Sequence, residues 1–288
     1  MPHVPTPLVA LALVAALALA ACGPSDDYAG EMREQHDGDT PAASGATAGA
    51  VDLDVTTERV VYGTAGGTTL TGTLARPADA GPDAALPGVI VIHEWWGLNE
   101  NVEDMARRLA DQGYAALAVD LYGGEVAETP DQAMSTMRAV MEDEAALTAN
   151  LEAAYAYLTS AQEAPRVGVI GWCFGGMWSL RAALAMPEAL DAAVVYYGRP
   201  VTDADRLAAL DLPVLALFGE ADDSIPRDTV SAFIDALNEA GVEHRVKTYQ
   251  GAGHAFANPS GENYVPYAAE DAWDQTTAFF AEHLGGDA

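Results

Sequence analysis

Two rhythms of apolar positions alternate along most of this chain. From Val51 onward, short apolar or alternating runs predict strands, and apolar residues spaced by three and four predict helices. Val55–Tyr62 and Thr69–Leu74 read as two strands joined by the glycine-rich turn Gly63–Gly67. Val89–Ile92 is a short buried strand. Asn101–Gln112 carries Val102, Met105, Ala106 and Leu109 on one face and stops at Gly113, the pattern of a helix. Tyr114–Val119 is a strand, and Asp131–Ser160 a long, mostly helical stretch. Its stripe of Met134, Met137, Met141, Leu147, Leu151, Tyr155 and Leu158 reads as core rather than as a cofactor site. Val167–Ile170, Val194–Tyr197, Val214–Phe218 and His244–Tyr249 continue the strands. Met177–Met186, Arg227–Ala240 and Tyr267–Leu284 continue the helices. Repeated strand–helix alternation predicts an α/β fold, a mainly parallel sheet with helices on both faces. No internal repeat appears, and no domain break after residue 51.

Neither rhythm holds before Val51. Leu8–Ala21 is fourteen uninterrupted apolar residues, too short for a comfortable membrane span and suited to a signal-peptide core. It ends in Leu19-Ala20-Ala21-Cys22-Gly23, which resembles the lipobox of bacterial lipoproteins. That resemblance implies cleavage before Cys22 and a lipid on its sulfur. One departure is that Met1–Pro7 holds no Lys or Arg. Gly23–Ala50 is rich in Gly, Ala, Ser, Thr, Pro and acids and reads as a disordered tether. The expected organisation is a lipoprotein-type signal peptide at 1–21, lipidated Cys22 and tether at 22–50, and an α/β domain at 51–288. The domain would then be exported and anchored to the cell envelope. With Cys22 a chance residue, it would be periplasmic or secreted.

Charge narrows the partners. The chain has 43 acidic and 13 basic residues, a formal charge of −30, and Lys247 is its sole lysine. Such a surface repels nucleic acid and anionic membranes, so membrane contact is expected only through a lipid anchor. The two cysteines, Cys22 and Cys173, offer no expected structural disulfide. No His, Cys and carboxylate grouping has metal-ligand spacing, so neither metal nor cofactor is expected. A monomer is expected.

The chemistry gathers at Gly171-Trp172-Cys173-Phe174-Gly175-Gly176. A strand leads in and a helix leads out, the layout of a nucleophile elbow with Cys at its tip. A sharp strand-to-helix turn leaves no room for side chains two residues either side, hence the glycines. The helix N-terminus favours a thiolate. A thiol needs a base, and the base an orienting group. Hydrolases with this elbow order them nucleophile, acid, His, which here reads Cys173, Asp222, His254. Asp222 and His254 each follow a strand, where open α/β sheets place their sites. Asp223 is the rival for the acid. His93-Glu94-Trp95-Trp96-Gly97 follows an early strand, so the backbone N–H groups of Phe174 and Trp95 are the candidate oxyanion donors. The Trp pair reads first as packing over the site and second as recognition.

From Leu86 to its end the chain resembles the dienelactone hydrolase family of α/β hydrolases. The shared marks are His93-Glu94-Trp95-Trp96-Gly97, Val119-Asp120-Leu121-Tyr122-Gly123, Gly171–Gly176, Tyr196-Tyr197-Gly198, Asp222 with Pro226, and Gly253-His254-Ala255-Phe256. The resemblance implies a Cys173–His254–Asp222 triad, with Glu94 pairing with the resting thiol and helping to activate it. A carboxylate beside a thiol raises the thiol's pKa, which suits a switch. Trp96, Tyr122 and Arg199 are the candidate substrate contacts. Dienelactone hydrolase proper grips its substrate's carboxylate with two arginines. At the matching places this chain has Gly123-Gly124-Glu125 and Ala257-Asn258. The expected activity is therefore hydrolysis of esters or lactones through a thioester, with anionic dienelactone a poor substrate. Acyl transfer by the same triad and a non-catalytic ligand-binding surface lipoprotein remain the alternatives.

Overall fold

The strands that read as continuous apolar runs form the middle of one eight-stranded sheet. The structure, a computed structural model, describes residues 54–81 and 84–285. The leader, Cys22 and the tether lie outside the described residues. Among the described residues no helix is long and apolar enough to cross a membrane. In chain order the strands are β1 (Val55–Ala65), β2 (Thr68–Pro77), β3 (Gly88–Ile92), β4 (Ala115–Val119), β5 (Val167–Trp172), β6 (Ala192–Tyr196), β7 (Val214–Gly219) and β8 (His244–Tyr249). Their spatial order is β1-β2-β4-β3-β5-β6-β7-β8. β1 pairs antiparallel with β2, and β2 with β4, while every pairing from β4 through β8 is parallel. Strands β3 to β7 are buried at every position, which is why they lack polar alternation. β1 and β2 form a hairpin longer than the sequence suggests. Its loop is only Gly66 and Gly67, both at positive φ, the conformation that matches strand twist in a two-residue turn.

The helices are α1 (Glu100–Asp111), α2 (Pro130–Met141), α3 (Glu144–Ser160), α4 (Phe174–Ala185), α5 (Ala204–Leu207), α6 (Arg227–Ala240) and α7 (Pro266–Leu284). Asp131–Ser160, which reads as mostly helical, is mostly helical and consists of α2 and α3. Asp143 interrupts it by capping the Ala146 N–H through its carboxylate at 3.0 Å, a local bond that competes with helix continuation. α5 is absent from the pattern because four residues carry no helical period. Gly88 of β3 abuts Leu158 of α3, whereas Gly168 of β5, in register with Val89, abuts Phe280 and Leu284 of α7. Neighbouring residues of a strand face opposite ways, so α3 and α7 cover opposite faces. The α/β-hydrolase fold expected from the sequence is the fold observed. Its parallel strands point their C-terminal ends, and the loops after β3, β5, β6, β7 and β8, to one edge.

Candidate active site

Cys173 sits between β5 and α4 with φ 54 and ψ −114, a strained backbone for a residue with a side chain. Tyr197 (φ 36), after β6, and Ala255 (φ 57), in the loop after β8, also have positive φ. Of four such non-glycine residues described, three therefore lie in this loop cluster, at a cost of order 1–3 kcal/mol each. The elbow glycines are required by contact. A Cβ on Gly171 would lie 2.3 Å from the Gly175 backbone. One on Gly175 would lie 2.4 Å and 2.5 Å from the carbonyl oxygens of Ile92 and His93. The elbow thus packs backbone against backbone, and Cys173 N–H donates to Tyr196 O at 3.0 Å.

Asp222, after β7, and His254, after β8, meet although 32 residues separate them. His254 Nδ1–H donates to Asp222 Oδ2 at 2.8 Å, and both side chains are fully buried. Asp223, the rival for this position, is exposed. The other carboxylate oxygen of Asp222 accepts from Ser224 N–H at 3.0 Å, Ser224 Oγ at 2.7 Å and Ile225 N–H at 3.0 Å. Ser224 Oγ also lies 3.2 Å from His254 Nδ1. Burial alone would raise the Asp222 carboxyl. The His254 charge and hydrogen bond, with those of Ser224 and Ile225, outweigh burial and hold it below the ordinary carboxylate value. Burial alone would lower His254. The Asp222 charge and the Cys173 sulfur, each also a hydrogen-bond partner, hold it well above the ordinary histidine value. The imidazolium is thus favoured where a thiolate would need a counter-charge.

Glu94 is buried beyond β3. Its Oε1 accepts from Tyr197 Oη at 3.3 Å and its Oε2 from Asn258 Nδ2 at 2.6 Å. Burial, followed by the charges of Glu94 and Cys173, pushes the Tyr197 phenol well above its usual value, so it is a neutral donor. Asn258 stands where the family's second arginine was looked for, and it puts a neutral amide on Glu94. The Asn258 side-chain oxygen in turn accepts from Ser260 N–H at 2.9 Å and Ser260 Oγ at 2.7 Å. Asn101, in the first turn of α1, donates to Ser260 Oγ at 2.5 Å.

A pocket of about 290 Å³ opens at this network. Val102 and Met105 of α1, Trp172 of β5 and Pro259 supply apolar walls, and Glu94, Tyr197, Asn101 and Asn258 the polar groups. No cationic side chain lines it. Arg199, half-buried after β6, is not among its walls. Trp96 is buried edge-on against Trp95, with ring centroids 5.0 Å apart, and Tyr122 is buried against His93 and Phe174. Neither is among the walls of this pocket. One group of possible metal ligands occurs among the described residues, Glu243, Glu282 and His283. It lies by the N-terminal end of β8, opposite to the site, and Arg245 grips Glu282 with two 2.7 Å contacts.

Ser224, Tyr197 and Asn258 carry only weak signals in the sequence. Tyr197 was visible only as part of a motif, and Asn258 only as a missing arginine. For Ser224 the available signal was its position two residues after Asp222, the reach of a side chain-to-backbone turn.

Residues 70–284 match the family model described as the dienelactone hydrolase family. An Aquifex pyrophilus protein named Protein usf is 36% identical over 220 residues, covering 74% of this chain and 95% of its own. An Aquifex aeolicus protein assigned as a carboxymethylenebutenolidase is 31% identical over 226 residues, covering 74% and 95%. Among solved structures, a dienelactone hydrolase-like promiscuous phosphotriesterase from metagenomic libraries superposes with a TM-score of 0.72 at 29% identity. That match covers 81% of this chain and all (100%) of the other.

Proposed function

The chain belongs to the dienelactone hydrolase family of α/β hydrolases, and from that premise we propose that it hydrolyses uncharged esters or lactones through a Cys173–His254–Asp222 triad. The observation that carries the reading is the fully buried Asp222–His254 hydrogen bond of 2.8 Å at the edge of the sheet that also presents the Cys173 elbow. In this mechanism the Cys173 thiolate attacks the acyl carbon. The Phe174 and Trp95 N–H groups receive the oxyanion. The tetrahedral intermediate collapses to a thioester as His254 gives its Nε2 proton to the leaving alkoxide. His254, now neutral, takes a proton from water, which attacks the thioester. Collapse of the second intermediate expels Cys173 as thiolate, and the acid product leaves. Asp222 holds the ring by its Nδ1 side throughout.

The pocket supports an uncharged substrate. Its apolar walls suit a small alkyl or aryl group, and its one carboxyl, Glu94, accepts from the Tyr197 phenol and the Asn258 amide. In this pocket a substrate carboxylate would meet the Glu94 carboxyl and no cationic wall residue, and like-charge juxtaposition costs several kcal/mol. Anionic dienelactone should therefore show a kcat/KM roughly 10²-fold below that of its own methyl ester. Stopped-flow or spectrophotometric ring opening of the two lactones makes the comparison. Equal rates would remove the case for a neutral substrate.

We further propose that the enzyme works outside the cytoplasm on a lipid anchor, a reading that rests on the apolar run Leu8–Ala21 and its end, Leu19–Gly23. Expressed with its leader in a bacterial host, the wild type should fractionate with membranes and carry diacylglycerol mass on Cys22. Cys22→Ala should lose both. A wild type of unmodified mass in the soluble fraction would exclude the anchor.

A further inference from the structure

His93 belongs to the motif after β3, yet the proposed reaction gives it no task. It is fully buried, and each ring nitrogen meets a backbone group from a different loop. The N–H of Leu121, after β4, donates to Nε2 at 3.1 Å. Because a backbone N–H can only donate, Nε2 is unprotonated. Nδ1 therefore carries the ring proton and donates to the carbonyl oxygen of Glu94 at 2.6 Å. Burial, the largest influence, lowers the imidazole and favours this neutral form, against the opposing effects of the Glu94 carbonyl and Asp120.

The carbonyl that His93 holds belongs to the same peptide unit as the Trp95 N–H. In a trans peptide the two dipoles lie in one plane and point in opposite directions. Fixing Glu94 O on the His93 side thus fixes the direction of the Trp95 N–H on the other. The same ring stacks on Phe174, with centroids 5.8 Å apart and planes 17° apart. The His93 carbonyl also limits the approach of Gly175 in the first turn of α4. One rigid ring therefore touches the peptide of one oxyanion donor and the side chain of the residue that supplies the other.

We infer that His93 is the positioning residue of the oxyanion hole: its Nδ1–H sets the Trp95 N–H, and its ring face sets Phe174. This assignment rests on the hydrolase reading above. It concerns the transition state only, because an ester carbonyl gains its full negative charge after attack.

The test compares wild type, His93→Phe and His93→Asn in two reactions of Cys173. His93→Phe keeps a flat ring for Phe174 and loses the donor to Glu94 O. His93→Asn keeps an N–H close to the Nδ1 position. Hydrolysis of p-nitrophenyl acetate develops an oxyanion. Alkylation by iodoacetamide, in which sulfur displaces iodide, does not. His93→Phe should lose about 10²-fold in kcat, with KM and the alkylation rate each within about threefold of wild type. His93→Asn should return kcat to within about tenfold of wild type. Equal kcat for the Phe and Asn variants would overturn the assignment. So would alkylation falling in parallel with kcat, the result expected if His93 merely supports the fold. A wild type that hydrolyses no ester and takes no iodoacetamide would overturn the hydrolase reading itself, and this assignment with it.

Discussion

Replacing Cys173 by alanine is expected to bring hydrolysis of p-nitrophenyl acetate to background, a loss of about 10⁴-fold or more in kcat. The size follows from what the residue does. Without sulfur there is no thioester, and only the residual catalysis of the remaining groups is left. The alanine variant should keep its melting temperature within a few degrees, since the sulfur accounts for little of the buried surface and the backbone strain at φ 54 is unchanged in kind. The comparison therefore separates chemistry from fold. Asp222→Asn gives a second point on the same line. An amide in place of the carboxylate removes the charge that favours imidazolium and offers His254 Nδ1 the wrong partner, for a loss of roughly 10³–10⁴-fold. If Cys173→Ala turned over the ester at the wild-type rate, neither Cys173 nor the elbow would be the reaction centre.

Gly175→Ala carries the second large effect, and it works through the backbone. Its Cβ would stand 2.4 Å from the carbonyl oxygen of Ile92 and 2.5 Å from that of His93. Neither atom is the free end of a flexible side chain. Relief requires α4 and the C-terminal end of β3 to move apart, which separates the two stretches proposed to supply the oxyanion donors. Overpacking of this kind costs roughly 3 kcal/mol, or a fall of about 6–12 °C in Tm for a domain of this size. Turnover should fall at least about 10²-fold even well below the melting transition, because oxyanion stabilisation depends on donor placement. Circular dichroism melts beside steady-state rates make the measurement. Wild-type turnover with an unchanged Tm would mean that the elbow tolerates the displacement and that its close packing is not what aligns the site.

Some of this is legible in the chain itself, and the reason differs from feature to feature. β3 to β7 are recognisable because burial on both faces removes polar residues from a strand, and that signal is local. The elbow is recognisable because its three glycines are written within six residues around one nucleophile, although Gly175 and Gly176 answer to backbone from neighbouring loops. Asp222 and His254 could be proposed because strand ends converge in a parallel sheet, so chain order stands in for distance. Asp131–Ser160 reads as mostly helical and is so, and the break at Asp143 comes from a side-chain cap, a single local bond that apolar spacing does not mark.

What only the tertiary structure decided is the choice of polar partners. Asn258 reaches Glu94 across 164 residues of chain, and Tyr197 reaches the same carboxylate across 103. His93 joins Glu94 to Leu121, 28 residues away. No periodicity marks such contacts, because a buried donor needs one acceptor within about 3 Å and is indifferent to where in the chain that acceptor comes from. Apolar burial repeats along an element and is written into its residues. Pairing of polar groups at the strand ends depends on how five separate loops meet, and by itself the sequence carried only the order in which they would arrive.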